Sequence, residues 1–331
     1  MNALYSLVLV FALVLIALFG VGTAHMAGLF GIALPLVAVA VFLVGFAYRI
    51  IKWAKSPVPF NITTTGGQQK SLDFIKHSKF DNPVTPGQTF IRMLLEVLCF
   101  RSLFRNAKTG IQEGQVTYSS AKWLWLFSLL FHYSFLLIII RHMRLFFEPV
   151  PACINFVAML DGIFQIGAPR LYMSDILILV GLGFLLARRL WDAKVRYISL
   201  VTDYFPLLLI ISVALSGIYM RFFAHVDIPA VKQLTMGLVT FHPVIPAGVS
   251  VPFYVHLFLV CTLLIYFPFS KLMHAGGVFL SPTRNMPNNP RRVHHENPWN
   301  DPSIKPHSYE DYENDFREPM IEAGLPVEKK S

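Results

Sequence analysis

Apolar residues run in blocks long enough to cross a bilayer, whose hydrocarbon core takes about 20 residues of helix. Six such blocks stand out, near 3–22, 29–51, 123–147, 171–190, 201–222 and 253–274. The first two are separated by GTAHMAG, which holds His25 between two glycines, and the third opens on WLWLF, an aromatic anchor for a membrane interface. The fourth is the shortest. The pattern therefore predicts an all-α integral membrane bundle of about six transmembrane helices. Its chain divides into two N-terminal spans (1–51), a basic polar segment (52–122), a four-helix region (123–274) and a polar tail (275–331).

Within 52–122, the stretch TFIRMLLEVLCFRSLF (89–104) reads as a helix too polar to span, lying at the membrane surface or under a partner. The tail brings together eight prolines, nine acids and seven Lys/Arg, which predicts disorder or an extended arm that orders on a partner.

Composition agrees with the pattern: 55% of the 331 residues are hydrophobic and 14% charged. The start of the chain lacks a basic leader, so its first block is expected to remain as a helix. Net charge is +9, but the basic residues cluster beside spans, which points to lipid or a docked protein and away from nucleic acid. Ten Lys/Arg lie in 52–122, and Arg188, Arg189, Lys194 and Arg196 follow span four. Each opposite loop has one basic residue, Arg170 or Lys232. The positive-inside rule then puts both termini, the 52–122 segment and the 188–200 loop in the cytoplasm. Arg141, Arg144 and Arg221 sit at the outer ends of spans three and five, where a cation is costly without a specific role.

Cys99, Cys153 and Cys261 are isolated, with no CxxC or CxxCH, which excludes a cluster or covalent haem held by cysteines of this chain. No Walker motif, nucleophile elbow or HExxH occurs. Of eleven histidines, His77, His294, His295 and His307 lie in polar sequence, and His25, His225 and His242 at a break or in loops. Four remain in or at the end of apolar spans. His132 and His142 are ten residues apart on span three, a rise of about 15 Å. His256 and His274 are eighteen apart on span six, about 27 Å and close to five turns.

A lone intramembrane histidine is commonly a hydrogen-bonded or proton-relay residue. Two pairs on antiparallel spans, matched by depth as His142 with His256 and His132 with His274, suit two haems b, each with two axial imidazoles. The unequal rises leave about 12 Å to absorb, and Pro268 supplies a kink that helps place His274.

The His spacings, ten and eighteen, resemble those of the gamma subunit of respiratory nitrate reductase, a dihaem cytochrome b. The segments EVLCFRSLFRNAKTG and HYSFLLIIIRHMRLFFEPVP and the polar tail look like the membrane M subunit of the Dsr complex. That resemblance implies menaquinol oxidation in sulfite respiration, in a prokaryotic cytoplasmic membrane. Implied partners are a cytoplasmic iron–sulfur protein resembling the heterodisulfide reductase catalytic subunit, a periplasmic multihaem cytochrome c, a ferredoxin-like protein and a second quinone-interacting membrane protein. Electrons would pass inward and quinol protons outward. Candidate quinol-site residues near the outer ends are Arg141, Glu148 and Asp161, with Arg144, Asp175, Tyr219 and Arg221 nearby. Three alternatives stay open: a cytochrome b of another respiratory complex (nitrate reductase-like or heterodisulfide reductase-like), a haem-free transporter with intramembrane histidines, and a haem-free anchor.

Overall fold

The computed structural model describes residues 1–58, 61–62, 67–162, 171–291, 303 and 305–328; Arg170, His294 and His295 lie outside them. In chain order the helices are α1 (Asn2–Gly22), α2 (Leu34–Ala54, entered through a π turn at Leu29–Ala33), α3 (Pro86–Cys99) and α4 (Arg101–Phe104). A hairpin of β1 (Ala107–Gln112) and β2 (Gln115–Ser120) precedes α5 (Lys122–His142) and α6 (Ala152–Asp161). Then come α7 (Met173–Trp191), α8 (Ala193–Ile198), α9 (Val201–Tyr219), α10 (Ile228–Val239), α11 (Val251–Tyr266), α12 (His274–Gly277) and α13 (Tyr309–Glu322).

Five helical segments are long and apolar enough to cross a membrane: Asn2–Gly22, Leu29–Ala54, Lys122–Leu145, Val201–Ala224 and Val251–Phe269. The fourth block, near 171–190, does form a helix, α7. Asp175 in its first turn and Arg188 and Arg189 in its last confine the purely apolar stretch to Ile176–Ala187, and the number of candidate spans falls to five among the described residues. The all-α expectation also needs correcting, because β1 and β2 pair antiparallel from Ala107↔Ser120 to Gln112↔Gln115. Glu113 and Gly114, both at positive φ (51° and 79°), make the two-residue turn.

α5 packs chiefly on α7 and α6, whereas α11 packs on α2, α1 and α9, and α9 touches both α1 and α7. The core joins Val10, Ala17, Ile178, Leu182, Leu209, Leu259 and Leu263. Gly181 lets α7 approach α5 closely: a Cβ there would stand 3.0 Å from the Phe131 backbone nitrogen.

The basic segment and the start of the tail fold together into a cap over one end of α5. Thr85 caps α3, and Phe100, left-handed at φ 50°, breaks α3 from α4. Trp125 and Tyr133 of α5 donate to the carbonyls of Cys99 (2.7 Å) and Leu98 (2.9 Å). α3 is inside-out: Thr89 and Arg92 are buried while Phe90, Ile91, Leu94 and Leu98 face outward. Buried Asn82 and Asn288 are hydrogen-bonded to each other, and Arg284 pairs with Glu96 at 3.2 Å, so residues 281–291 are strapped to the cap. Past the described gap in the tail, the expectation of disorder is met instead by α13, opened by a Ser308–Asp311 capping box.

Asp81 anchors the cap by hydrogen bonds with Ser78 and ion pairs with Arg101 and Arg105. Partial burial pushes its carboxyl up, but Ser78 and the two guanidiniums pull it further down, to a net value below the usual carboxylate range. A depressed folded-state value stabilises above the unfolded value and ceases to do so as pH falls through about 4 and below. Limited proteolysis of the cap should therefore accelerate over that range, and Asp81→Asn should remove the acid-dependent part of the change. An identical pH profile in the variant would dismiss this anchor.

Candidate functional site

The two histidine pairs form across the space between α5 and α11. The rings of His142 and His256 stand 6.4 Å apart centre to centre and nearly parallel (17°), and those of His132 and His274 6.0 Å apart and nearly perpendicular (80°). His274 is not on the same continuous helix as His256. α11 ends at Tyr266, Pro268 lies in a 3-10 turn (Phe267–Phe269), and Ser270 is extended (φ −119°, ψ 177°) before a second turn leads into His274. An unbroken run of five helical turns is therefore not what places His274. The break shortens the path and absorbs the mismatch in rise between the two histidine spacings.

Each imidazole is oriented through Nδ1. The partners are Ser128 O for His132 (2.7 Å), Ile138 O for His142 (2.7 Å), Lys271 O for His274 (2.9 Å) and the Ser216 hydroxyl for His256 (2.9 Å). A carbonyl only accepts, so three of the four carry their proton on Nδ1. Ser216 Oγ itself donates to Val213 O, which leaves it an acceptor toward His256. That tautomer keeps the Nε2 lone pair for a ligand. A metal centred between two imidazoles, with bonds of about 2 Å to each, sets ring centres about 6 Å apart. Both separations meet this requirement, so His142 with His256 and His132 with His274 are the residues that would hold a haem iron.

A cavity of about 800 Å³ surrounds the His142–His256 pair. Apolar side chains such as Phe135, Ile138, Val213 and Phe253 line most of it, with Arg141, Arg144, Tyr172, Asp175 and Arg221 on its polar side. Gly217 of α9 faces His256, and a Cβ there would lie 3.4 Å from His256 Cε1. The longer side chain of Gly217→Leu should push this imidazole off its position and weaken metal binding at the His142–His256 pair selectively. The check is whether one haem signal is lost while the other persists; equal retention of both would refute it.

Two of the three costly cations, Arg141 and Arg221, find partners here. Arg141 is buried, donates to Asp161, to Ser174 Oγ (3.2 Å) and to Asp175 Oδ1 (3.1 Å), and lies over the Tyr172 ring at 3.6 Å. Arg221 lies over the same ring, at 4.4 Å. Asp161 also takes the Ser174 backbone N–H (2.9 Å) and hydroxyl (2.6 Å). Of the sequence candidates, Arg141, Arg144, Asp175 and Arg221 line the cavity, and Asp161 braces Arg141 from α6. Glu148 is exposed and ion-paired with Lys232, and Tyr219 is exposed and stacks on Phe223; neither lines the cavity. Sequence reasoning missed Tyr172, Ser174 and Ser216. Only the Ser216–Gly217 pair inside an apolar span offered a signal.

At the other end Phe100 of the cap meets His132 edge-on at 5.0 Å, while His274 is exposed. Lys271, beside His274, pairs with Asp203 at 2.7 Å. Cys99 and Cys153 are exposed and Cys261 is buried, all as free thiols.

A helical bundle with five candidate spans and two facing imidazole pairs defines a class, the multispan helical membrane proteins. Within it, this chain belongs to the nitrate reductase gamma subunit family, which matches residues 90–290 and so includes all four paired histidines. It is 48% identical to an "Hdr-like menaquinol oxidoreductase cytochrome b-like subunit" of Archaeoglobus fulgidus, over 84% of this chain and 85% of that protein. A protein of the same description in Archaeoglobus profundus is 42% identical, over 81% of each chain. Both matches extend well beyond the family region.

Proposed function

We propose that this chain is a dihaem cytochrome b that oxidises menaquinol and serves an iron–sulfur partner on the opposite side of the membrane. The observation that carries this reading is the pair of imidazole couples, 6.4 and 6.0 Å between ring centres, each ring oriented through Nδ1. His142 and His256 would hold one haem b, and His132 and His274 the other. Haems bound there supply one-electron carriers at two depths of the membrane. The chain's own groups do the rest. Ser128, Ile138, Lys271 and Ser216 fix the imidazoles, the apolar cavity walls exclude water, and Arg141 with Asp161 makes a rigid polar frame beside the quinol.

Menaquinol as substrate is supported by the description of the two Archaeoglobus relatives, and "Hdr-like" in the same description supports a heterodisulfide reductase-like iron–sulfur subunit as partner. The charge pattern supports the orientation: the basic cap and the His132–His274 end cytoplasmic with both termini, the His142–His256 end outside. The finer reading makes this the M subunit of a Dsr complex in sulfite respiration, in a prokaryotic cytoplasmic membrane. Its further partners would be a periplasmic multihaem cytochrome c, a ferredoxin-like protein and a second quinone-interacting membrane subunit. Copurification from the native membrane tests those partners.

The deciding experiment is a dithionite-reduced minus oxidised spectrum of the purified protein with haem quantified per chain. Two b-type haems per chain are expected. A colourless, folded preparation from haem-supplied cells would overturn the reading in favour of a haem-free transporter or anchor.

A further inference from the structure

We propose that the outward face of α3 is immersed in lipid hydrocarbon. α3 is then a membrane-boundary helix, with its polar side turned to the cap and its apolar side turned to acyl chains. Phe90, Ile91, Leu94 and Leu98 are between 42% and 64% exposed. Their directions fall within about 100° of arc around the helix. Thr89 and Arg92 lie on the other side and are buried, and Glu96 there pairs with Arg284. The four exposed residues carry no charged or hydrogen-bonding side chain. The proposal does not depend on the haem reading.

The depth of α3 follows from what its C-terminal end is bonded to. α5 and α7 are in close contact where Gly181 meets Phe131, and Phe184 stacks on Phe127 at 4.0 Å. Gly181 lies seven residues before Arg188, about 10 Å of helix, so Phe131 sits well inside the charged end of α7. Tyr133 donates to Leu98 O at 2.9 Å. An aromatic side chain on a helix leans toward the helix N-terminus, so that bond lies near the level of Phe131. Phe100 meets His132 close to the same level (5.0 Å), while α4 climbs back, with Phe104 against Trp125 (4.9 Å). The last turn of α3 therefore stands beside a candidate span, inside the charged helix ends. Its outer face continues that of α5, where Trp123, Leu126, Tyr133 and Leu136 are exposed.

Two further observations favour lipid over a protein cover. A helix end in water leaves its carbonyls to water, whereas in hydrocarbon they need internal donors. α3 ends in the second way: Leu95 O takes the Phe100 N–H, Leu98 O the Tyr133 hydroxyl and Cys99 O the Trp125 indole N–H. A protein interface also brings about one hydrogen bond per 100–200 Å², and the side chains of this face offer none. The helix so held carries Phe100 directly after it, and with it the ring that rests on His132.

The test uses the full-length chain with any subunits that copurify, in nanodiscs of phosphatidylcholine and phosphatidylglycerol. Part of the phosphatidylcholine carries a diazirine at its acyl end. After illumination, lipid adducts should map to residues 90–98 as heavily as to the exposed side of α5, and should be missing from the β1–β2 hairpin. The second readout is thiol alkylation by a charged, water-soluble reagent in a Cys99→Ser/Cys153→Ser background. Leu94→Cys should react about a hundredfold more slowly than Glu113→Cys at the hairpin turn, since apolar surroundings disfavour the reactive thiolate. Phe90→Cys takes its place if that variant is not recovered. Slow alkylation together with lipid adducts is the expected result. Fast alkylation would leave the face in water, and slow alkylation without lipid adducts would put it under a second copy or another subunit. Either outcome overturns the proposal.

Discussion

Alanine at His142 or at His256 should take the purified protein from two b haems per chain to one, and alanine at His132 or His274 should take the other. The expectation follows from pairing across the α5–α11 gap, since each imidazole has a single opposite ring at about 6 Å. A haem held on both sides by protein nitrogens loses a coordinate bond when one imidazole goes. The remaining face cannot restore it, because no third histidine, cysteine or acid joins either pair in a metal-binding group among the described residues. The double variant His142→Ala/His256→Ala should look like either single, whereas His142→Ala/His132→Ala should be colourless. That pattern of non-additivity within a pair and additivity between pairs is the signature of two separate sites. Haem quantification by pyridine haemochrome reads it directly. If His142→Ala/His274→Ala behaved like a single variant, the pairing would be crossed and the geometry argued here would be wrong.

What the sequence disclosed followed from period and length. Five of the apolar blocks became candidate spans because nothing competes with backbone hydrogen bonding in a run of Leu, Val and Phe. The four histidines were legible because polar rings in such runs stand out. Their partners were not. Ser128, Ile138 and Lys271 act through carbonyls, which no side-chain pattern reveals, and Tyr172 and Ser174 are ordinary residues until α6 and α7 bring Arg141 to them.

The position of His274 shows why spacing alone misleads. Eighteen residues mean five turns only on an unbroken helix, and Pro268 with extended Ser270 turns that count into a short, folded path. The hairpin had a local signal in Glu113–Gly114 between short alternating stretches, outweighed by the basic helical pattern around it. α3 reversed the usual inference about amphipathic faces. Its apolar side points outward because the interior it adjoins is the polar cap, where Arg92 and Glu96 find Asn- and Arg-rich neighbours rather than a hydrophobic core.

Arg141→Met is expected to be the most destabilising single change in the bundle. The two guanidiniums that lie over Tyr172, Arg141 and Arg221, balance the two buried carboxylates Asp161 and Asp175. Removing Arg141 leaves both acids near each other with no partner on Asp175 Oδ1 and only the Ser174 groups on Asp161. Breaking a buried pair from one side costs about 3–5 kcal/mol, because the charge left behind remains desolvated. The loss should appear as poor recovery from the membrane and a large drop in the thermal aggregation temperature of the solubilised protein. Arg141 also directly precedes His142, so the haem at the His142–His256 pair should be lost on heating before the one at His132–His274. The triple variant Arg141→Met/Asp161→Asn/Asp175→Asn removes the orphaned charges and should recover much of the stability. If the single variant were as stable as the unaltered protein, the cluster would be a solvated surface feature and its claim to frame a dry cavity would fail. Recovery in the triple variant would separate that outcome from a simple packing defect, since methionine fills similar volume in both.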